Sequence, residues 1–245
     1  MDVDLLRRRS GRTLGKAVNR SRSSEAASPL QRPNLLRGED LPARPLQQRS
    51  RAKREQLNAS ALALFGENGY EKTSIDQIAI RANLALGTFY QHYRSKRQLL
   101  LSLMDELLER LSRLELRPVG GTDIRSGLRG LLARAFSTDL QYLGAYRAWQ
   151  EAALSDSDLA KKQQQIHAWT TARVRALFSA LQQHPGARRD VDIAGLARVM
   201  DSLFWNLLAQ AVQFSKSELN QWLDAATHLI YHALFTDDPR MQSPD

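Results

Sequence analysis

Residues 73–98 read TSIDQIAIRANLALGTFYQHYRSKRQ, and the order of residue types in this stretch decides the fold. Thr73 and Ser74 are N-cap types, and Ser74-x-x-Gln77 has the spacing of a capping box. Ile75, Ile78 and Ala79 supply the buried side of a short helix. Asn83 then falls where a tight turn needs a left-handed backbone, which Asn tolerates better than most residues. A second short helix follows over about 85–92, small-sided at its start, then aromatic, then basic. Ser95, with Gln98 three residues on, starts a further helix. The pattern is helix, tight turn, helix.

Such a unit suits a DNA major groove. Small residues must lead the inserted helix, side chains there must reach base edges, and flanking donors must hold phosphates. Ala85, Leu86, Gly87 and Thr88 lead the second helix and let the backbone come close. Thr88 and Gln91 can hydrogen-bond to bases, and Leu86 or Ala85 can touch a thymine methyl. Tyr90, His92 and Lys96 suit phosphate contact, while Thr73 and Ser74 offer the positive end of the preceding helix. Phe89 reads as core, and Arg81 as a solvated helix residue.

Working outward, Leu57, Ala61, Leu64 and Phe65 form one apolar stripe on a helix that starts near Gln48 and ends at Gly66 and Gly69. On the other side, Leu99, Leu100, Leu103, Leu107, Leu108 and Leu111 continue the helix begun at Ser95 up to Pro118 and Gly120-Gly121. Further helices are expected near 123–136, 138–154, 157–183, 189–213 and 217–235. No alternating run supports a sheet, so the fold class is all-α. Residues 1–49 alternate Arg, Ser, Pro and Leu without period and are expected to be a disordered basic extension. Arg7, Arg8, Arg9 and Arg12 form its densest basic cluster.

The 245 residues carry a net charge of +9, and its distribution matters. Residues 1–49 hold 11 Lys/Arg against 5 Asp/Glu, and residues 50–100 hold 8 against 4. The remainder is close to neutral, with 16 against 17. A basic N-terminal part points to a polyanionic partner. The absence of cysteine excludes disulfides and thiolate chemistry. No apolar run reaches the ~20 residues of a membrane span, and the N-terminus lacks the apolar core of a secretory signal, so the expected compartment is the cytoplasm and no membrane partner is expected.

The coordinated landmarks A-x-x-L-F at 61–65, G-Y at 69–70, T-S-I-D-Q-I-A at 73–79, G-T-F-Y-Q-H-Y at 87–93 and S-K-R-Q-L-L at 95–100 resemble the tetracycline-repressor (TetR) family. They cover about fifty residues; the C-terminal half shares only the family's helical character. The resemblance implies an N-terminal three-helix DNA-binding domain (50–97), a helical ligand-binding and dimerisation domain (98–237) and a flexible tail (238–245). It implies a homodimer on a palindromic double-stranded operator, acting as a repressor released by a small apolar or amphipathic effector. A second reading keeps the fold and the DNA but replaces the effector by a protein partner. Carried over residue by residue, phosphate contacts fall on Thr73 or Ser74, Tyr90, His92 and Lys96, and base-proximal positions on Leu86, Gly87, Thr88 and Gln91. Two departures stand out: Asn83 replaces the turn glycine, and Ala85 replaces a capping Ser.

In the C-terminal half, Phe136, Tyr142, Tyr146, Trp149, Trp169, Phe178, Met200 and Trp205 concentrate aromatic surface of the kind that lines a ligand pocket, though each alone also reads as core. Leu203, Phe204, Leu207, Leu208, Trp222, Ala226, Leu229 and Ile230 spread an apolar face over the last two helices, suiting a four-helix dimer seam. Arg147 and Glu151, at i and i+4, read as a local ion pair. Asp224, His228 and His232 share a helix face but have no further ligand, so no metal site is expected. No nucleophile elbow, phosphate loop or zinc signature is present; neither an enzyme nor a cofactor is expected.

Overall fold

The structure is a computed structural model that describes residues 30–42, 48–116, 123–211 and 214–236, leaving out the side chain of residue 209. The described residues form nine α-helices: α1 Gln48–Asn68, α2 Ile75–Arg81, α3 Leu86–His92, α4 Lys96–Ser112, α5 Ile124–Asp139, α6 Leu143–Ala153, α7 Ser157–Leu181, α8 Ile193–Gln210 and α9 Lys216–Leu234. One 3₁₀ turn, Leu140–Tyr142, joins α5 to α6. Helix starts follow local chemistry. Ser74, Ser95, Asp123, Asp156, Asp192 and Ser215 each accept a backbone N–H of the first turn. Ser74–Gln77 and Ser215–Glu218 are reciprocal capping boxes.

Helices α1–α3 pack as a small module around Leu57, Ala61, Phe65, Ile78 and Phe89. Its core is continuous with that of the bundle, because α4 leaves the module and enters the larger body. Leu99 to Met104 are all buried, as are Leu107 and Leu108. A second core joins α5, α7, α8 and α9 around Leu128, Leu131, Phe178, Met200, Ala226 and Ile230.

Helix α1 also crosses α6. Gly66 does not end α1, as the sequence suggests, but lies inside it beside Gly144 of α6. A Cβ on Gly144 would run into the Leu62 carbonyl, so only glycine permits this approach. The chain leaves α1 at Gly69, whose φ of +82° is left-handed.

The expectation of disorder over 1–49 is corrected for residues 30–42, which lie as a strap along α4 and α7. Leu35 is fully buried in the main core. Arg32 donates to Asp105 and Glu109 of α4, each at 2.7 Å, and Asp105 also accepts the Leu35 N–H at 3.1 Å. The Leu30 carbonyl accepts from Trp169 Nε1, and the Leu35 carbonyl from Lys162 Nζ. At the far end, Glu39 pairs with Arg97, which also holds Asp156 and Asp158. The composition of the segment hides these few specific anchors among prolines and arginines. The Arg7–Arg12 cluster and residues 238–245 lie outside the described residues.

Candidate functional site

The turn between α2 and α3 is built on Asn83, whose φ is 55°. The N–H of Asn83 donates to Ile80 O at 2.9 Å, and that of Leu84 to Ala79 O at 3.0 Å. These bonds fix the two helices by backbone alone. Ala85 supplies no side-chain cap to α3, so the leading N–H groups of that helix rely on other partners. Phe89 is buried beneath α3 and packs on Tyr93.

The outer face of α3 presents Leu86, Gly87, Tyr90 and Gln91 to solvent, with Thr88 half-buried beside them. A Cβ on Gly87 would meet nothing within 4 Å, so its backbone is open to an approaching surface. Ser74 is exposed at the start of α2. Its Oγ accepts the Gln77 N–H at 3.1 Å while Gln77 Oε1 accepts the Ser74 N–H at 2.8 Å.

Three sequence-derived phosphate contacts are placed differently. Thr73 is buried, and its hydroxyl donates to Gly69 O at 2.7 Å and Leu64 O at 3.3 Å, closing the loop between α1 and α2. His92 is buried with neither ring nitrogen hydrogen-bonded. Desolvation, helped by the nearby Arg54 and Lys53 charges, pushes its pKa down and favours the neutral ring. Lys96 Nζ donates to the carbonyls of Tyr70 at 2.6 Å and Thr73 at 2.8 Å and sits 4.2 Å from the Tyr70 ring centroid. It ties the start of α4 to the loop that leads into α2; partial burial lowers its pKa. All three residues have the right chemistry for phosphate, but they sit at loop ends where orphan backbone carbonyls or core packing claim them first.

The sequence reading missed a basic element. Arg49, Arg51 and Lys53 are exposed on the first turns of α1, with Arg54 half-buried. Arg54 Nε donates to Tyr93 Oη at 2.9 Å, which places this turn beside the end of α3. The run RSRAKR at 49–54, with no acidic residue, was the available signal. Arg81 is not merely solvated but forms a two-point pair with Glu67 at 2.5 and 2.8 Å, bracing α2 on α1.

A second site lies inside the bundle. A cavity of about 140 Å³ opens between α5, α6, α7 and α8 below the end of α4. Of the aromatic residues singled out in the sequence, Phe136, Tyr146, Trp169, Phe178 and Trp205 line it. Tyr142, Trp149 and Met200 do not. Tyr142 lies under Arg110, Trp149 is enclosed in the core, and Met200 packs in the second core. Phe204, assigned to the dimer seam, instead turns inward onto Phe136 at 5.6 Å.

Three charged residues in the lining are absent from the sequence-derived candidates: Asp139, Arg173 and Asp201. Each interrupts an otherwise apolar helical face, which was the signal. Burial pushes the Asp139 carboxyl up to about 7, opposed only by the hydrogen bond it accepts from Tyr146 Oη.

Two elements touch both sites. Helix α4 starts at Lys96 beside the small module, and Leu111 in its last turn lies in the cavity wall. Helix α6 carries Tyr146 into the cavity and Arg147 and Glu151 to the module. Arg147 and Glu151 do not pair with each other. Arg147 Nη1 donates to Gly66 O at 2.6 Å, while Glu151 accepts the N–H groups of Tyr70 at 2.6 Å and Glu71 at 3.1 Å.

On the outer faces of α8 and α9, Val199, Leu203 and Leu229 are exposed by 58%, 38% and 55%. Leu207, Leu208, Ala226 and Ile230, expected in a dimer seam, are buried within the chain's own cores, and Trp222 is half-buried. The apolar arc is wide because it serves the intramolecular core on one side. Asp224 pairs with Arg129 at 2.6 Å and His228 lies 3.3 Å from Arg125, so this polar face holds α9 to α5. Among the described residues no group of three or more His, Cys, Asp or Glu is placed to hold a metal ion, and no helix is long and apolar enough to cross a membrane.

Residues 57–103 match the family model of bacterial regulatory proteins, tetR family. The chain is 35% identical over 101 residues to the HTH-type transcriptional regulator TcmR of Streptomyces glaucescens, covering 39% of this chain and 44% of that one. It is 32% identical over 102 residues to the HTH-type transcriptional repressor KstR of Rhodococcus jostii, covering 42% and 44%. The matched stretch thus spans less than half the length of either relative. In fold, the chain is similar to the SmeT–triclosan complex, SmeT being the repressor of a Stenotrophomonas maltophilia multidrug efflux pump. The TM-score is 0.58 at 22% identity, over 76% of this chain and 93% of that one.

Proposed function

From the match of residues 57–103 to the tetR family of bacterial regulatory proteins, we propose that the chain is a sequence-specific transcriptional regulator of that family. It acts as a dimeric repressor and leaves a palindromic operator when a small apolar or amphipathic ligand enters the bundle. The observation that carries this reading is the outer face of α3: Leu86, Gly87, Tyr90 and Gln91 stand clear of the protein on a helix fixed by the Asn83 turn. Leu86 and Thr88 reach base edges, Gln91 reads a base, and Tyr90 and Ser74 take phosphate oxygens. Arg49, Arg51 and Lys53 add charge beside the groove and make affinity salt-dependent.

Two copies join through the outer faces of α8 and α9, burying Val199, Leu203 and Leu229. The pair of α3 helices then reads two half-sites about one helical turn apart. A protein of similar fold has been solved with triclosan, and the aromatic-lined cavity is where this chain offers room for such an effector. A ligand there bears on Tyr146 of α6 and on the end of α4, and both helices are tied to the module. Allosteric couplings of about 1–3 kcal/mol change affinity roughly 5- to 150-fold, enough for release.

Selection of genomic fragments from the source organism by the purified full-length chain tests this reading. Enrichment of a few fragments sharing an inverted repeat supports it. Uniform recovery of all fragments contradicts it.

A further inference from the structure

Among the described residues, the charges lining the cavity do not balance, and the imbalance bears on the class of ligand. Arg173 lies in the wall, but its Nη2 donates to the carbonyls of Leu111 at 2.9 Å and Leu114 at 3.0 Å. Its guanidinium also lies 5.1 Å from the Trp169 ring centroid. Arg173 therefore closes the C-terminal end of α4 and pairs with no carboxylate of the cavity. Asp201 of α8 accepts from Thr171 Oγ1 at 3.0 Å and faces His167 Nδ1 at 3.3 Å. Asp139, at the end of α5, has a single side-chain partner, the neutral Tyr146 hydroxyl at 2.9 Å, and no cation pairs with it among the described residues. A carboxyl group in an aromatic chamber with no counter-ion is a site lacking its positive partner.

We infer that the cavity takes a lipophilic amine, its protonated nitrogen on Asp139 and its hydrocarbon body among Phe136, Trp169, Phe204 and Trp205. This rests on the reading of the cavity as an effector site and adds the chemistry of the effector. Aromatic faces attract ammonium groups as well as hydrocarbon. A ligand carboxylate would instead face Asp139 and Asp201 together, with the Arg173 guanidinium engaged by the end of α4. The raised pKa of Asp139 agrees with this, since a bound ammonium restores the ionised form that burial disfavours. The size also fits: an engineered cavity of about 150 Å³ holds benzene, so about 140 Å³ admits one aromatic ring. Anchoring at Asp139 places the cation against Tyr146, on the helix whose other end grips the Tyr70 N–H through Glu151.

Calorimetric titration of the full-length chain with three probes of one shape tests the assignment: 2-phenylethylamine, 2-phenylethanol and 3-phenylpropionate. The amine is expected to bind at least tenfold more tightly than the alcohol, with the carboxylate weakest. Asp139→Asn is expected to bring the amine to the level of the alcohol and leave the alcohol unchanged. The wild-type ranking stands independently of that variant should it not fold. A preference for alcohol or carboxylate, an amine affinity unmoved by Asp139→Asn, or no binding of any probe at millimolar concentration overturns the proposal. Gel shifts with a selected operator separate the two claims. An amine that binds by calorimetry without releasing DNA upholds the ligand class and contradicts the effector reading.

Discussion

The carboxylate of Glu151 on α6 accepts the backbone N–H of Tyr70, in the loop after α1, at 2.6 Å. It also takes the Glu71 N–H, and a Cβ on Gly69 would strike it. This side chain thus holds the N-terminal module to the helix that enters the cavity. Glu151→Gln replaces one of two acceptor oxygens with a donor and is expected to cost on the order of 1–2 kcal/mol. Thermal unfolding checks the cost. Gel shifts with and without ligand check the coupling, which is expected to fall more than operator affinity itself.

Gly66 and Gly144 face each other where α1 crosses α6, but their substitutions are expected to differ in sign. Gly144→Ala drives a methyl into the Leu62 carbonyl and should cost about 1–3 kcal/mol or more. Gly66→Ala meets only an ordinary 3.7 Å contact with the Gly144 Cα and removes a glycine from a helix interior. It should be neutral or stabilising by up to about 1 kcal/mol. Denaturant unfolding of the two variants gives the comparison.

Lys96 and Lys53 separate positioning from phosphate contact. Lys96 is spent on the carbonyls of Tyr70 and Thr73, so Lys96→Met should lower the melting temperature and weaken DNA binding with little change in salt slope. Lys53 is exposed at the basic start of α1, and Lys53→Ala should leave stability intact while reducing the slope by about one. Anisotropy titrations across a salt series read both slopes.

Leu35 is buried although it lies in a segment whose composition reads as disordered. Leu35→Ala is expected to cost about 2–5 kcal/mol, as for other buried leucines. A chain whose first 49 residues contributed nothing to the fold would show no change in thermal unfolding.

The helices were legible in the sequence because their signals are local. Ser74–Gln77, the left-handed Asn83, the Ser95 cap and the apolar period of α4 each act within a turn or two and reappear in the structure. What escaped depends on contacts between distant residues. Arg32 and Asp105 are 73 positions apart, so nothing near either one announces the strap. Arg147 and Glu151 have ion-pair spacing, yet both are taken by backbone groups of α1 and the loop after it. Thr73, His92 and Lys96 carry polar chemistry that residue type alone assigns to solvent, while packing turns it inward. The cavity aromatics were half legible: type marked Phe136 and Trp169, but only the packing distinguishes them from the enclosed Trp149.

In the proposed function the leading turn of α3 reads base edges as half of a symmetric pair. Selection from a randomised duplex library at moderate ionic strength, using the wild-type chain and a Thr88→Ala/Gln91→Ala variant, tests it most directly. The expected result is an inverted repeat with half-sites about one helical turn apart, and relaxed preference at defined positions in the variant. Recovery of no preferred sequence by the wild-type chain, or an identical preference in both proteins, contradicts it.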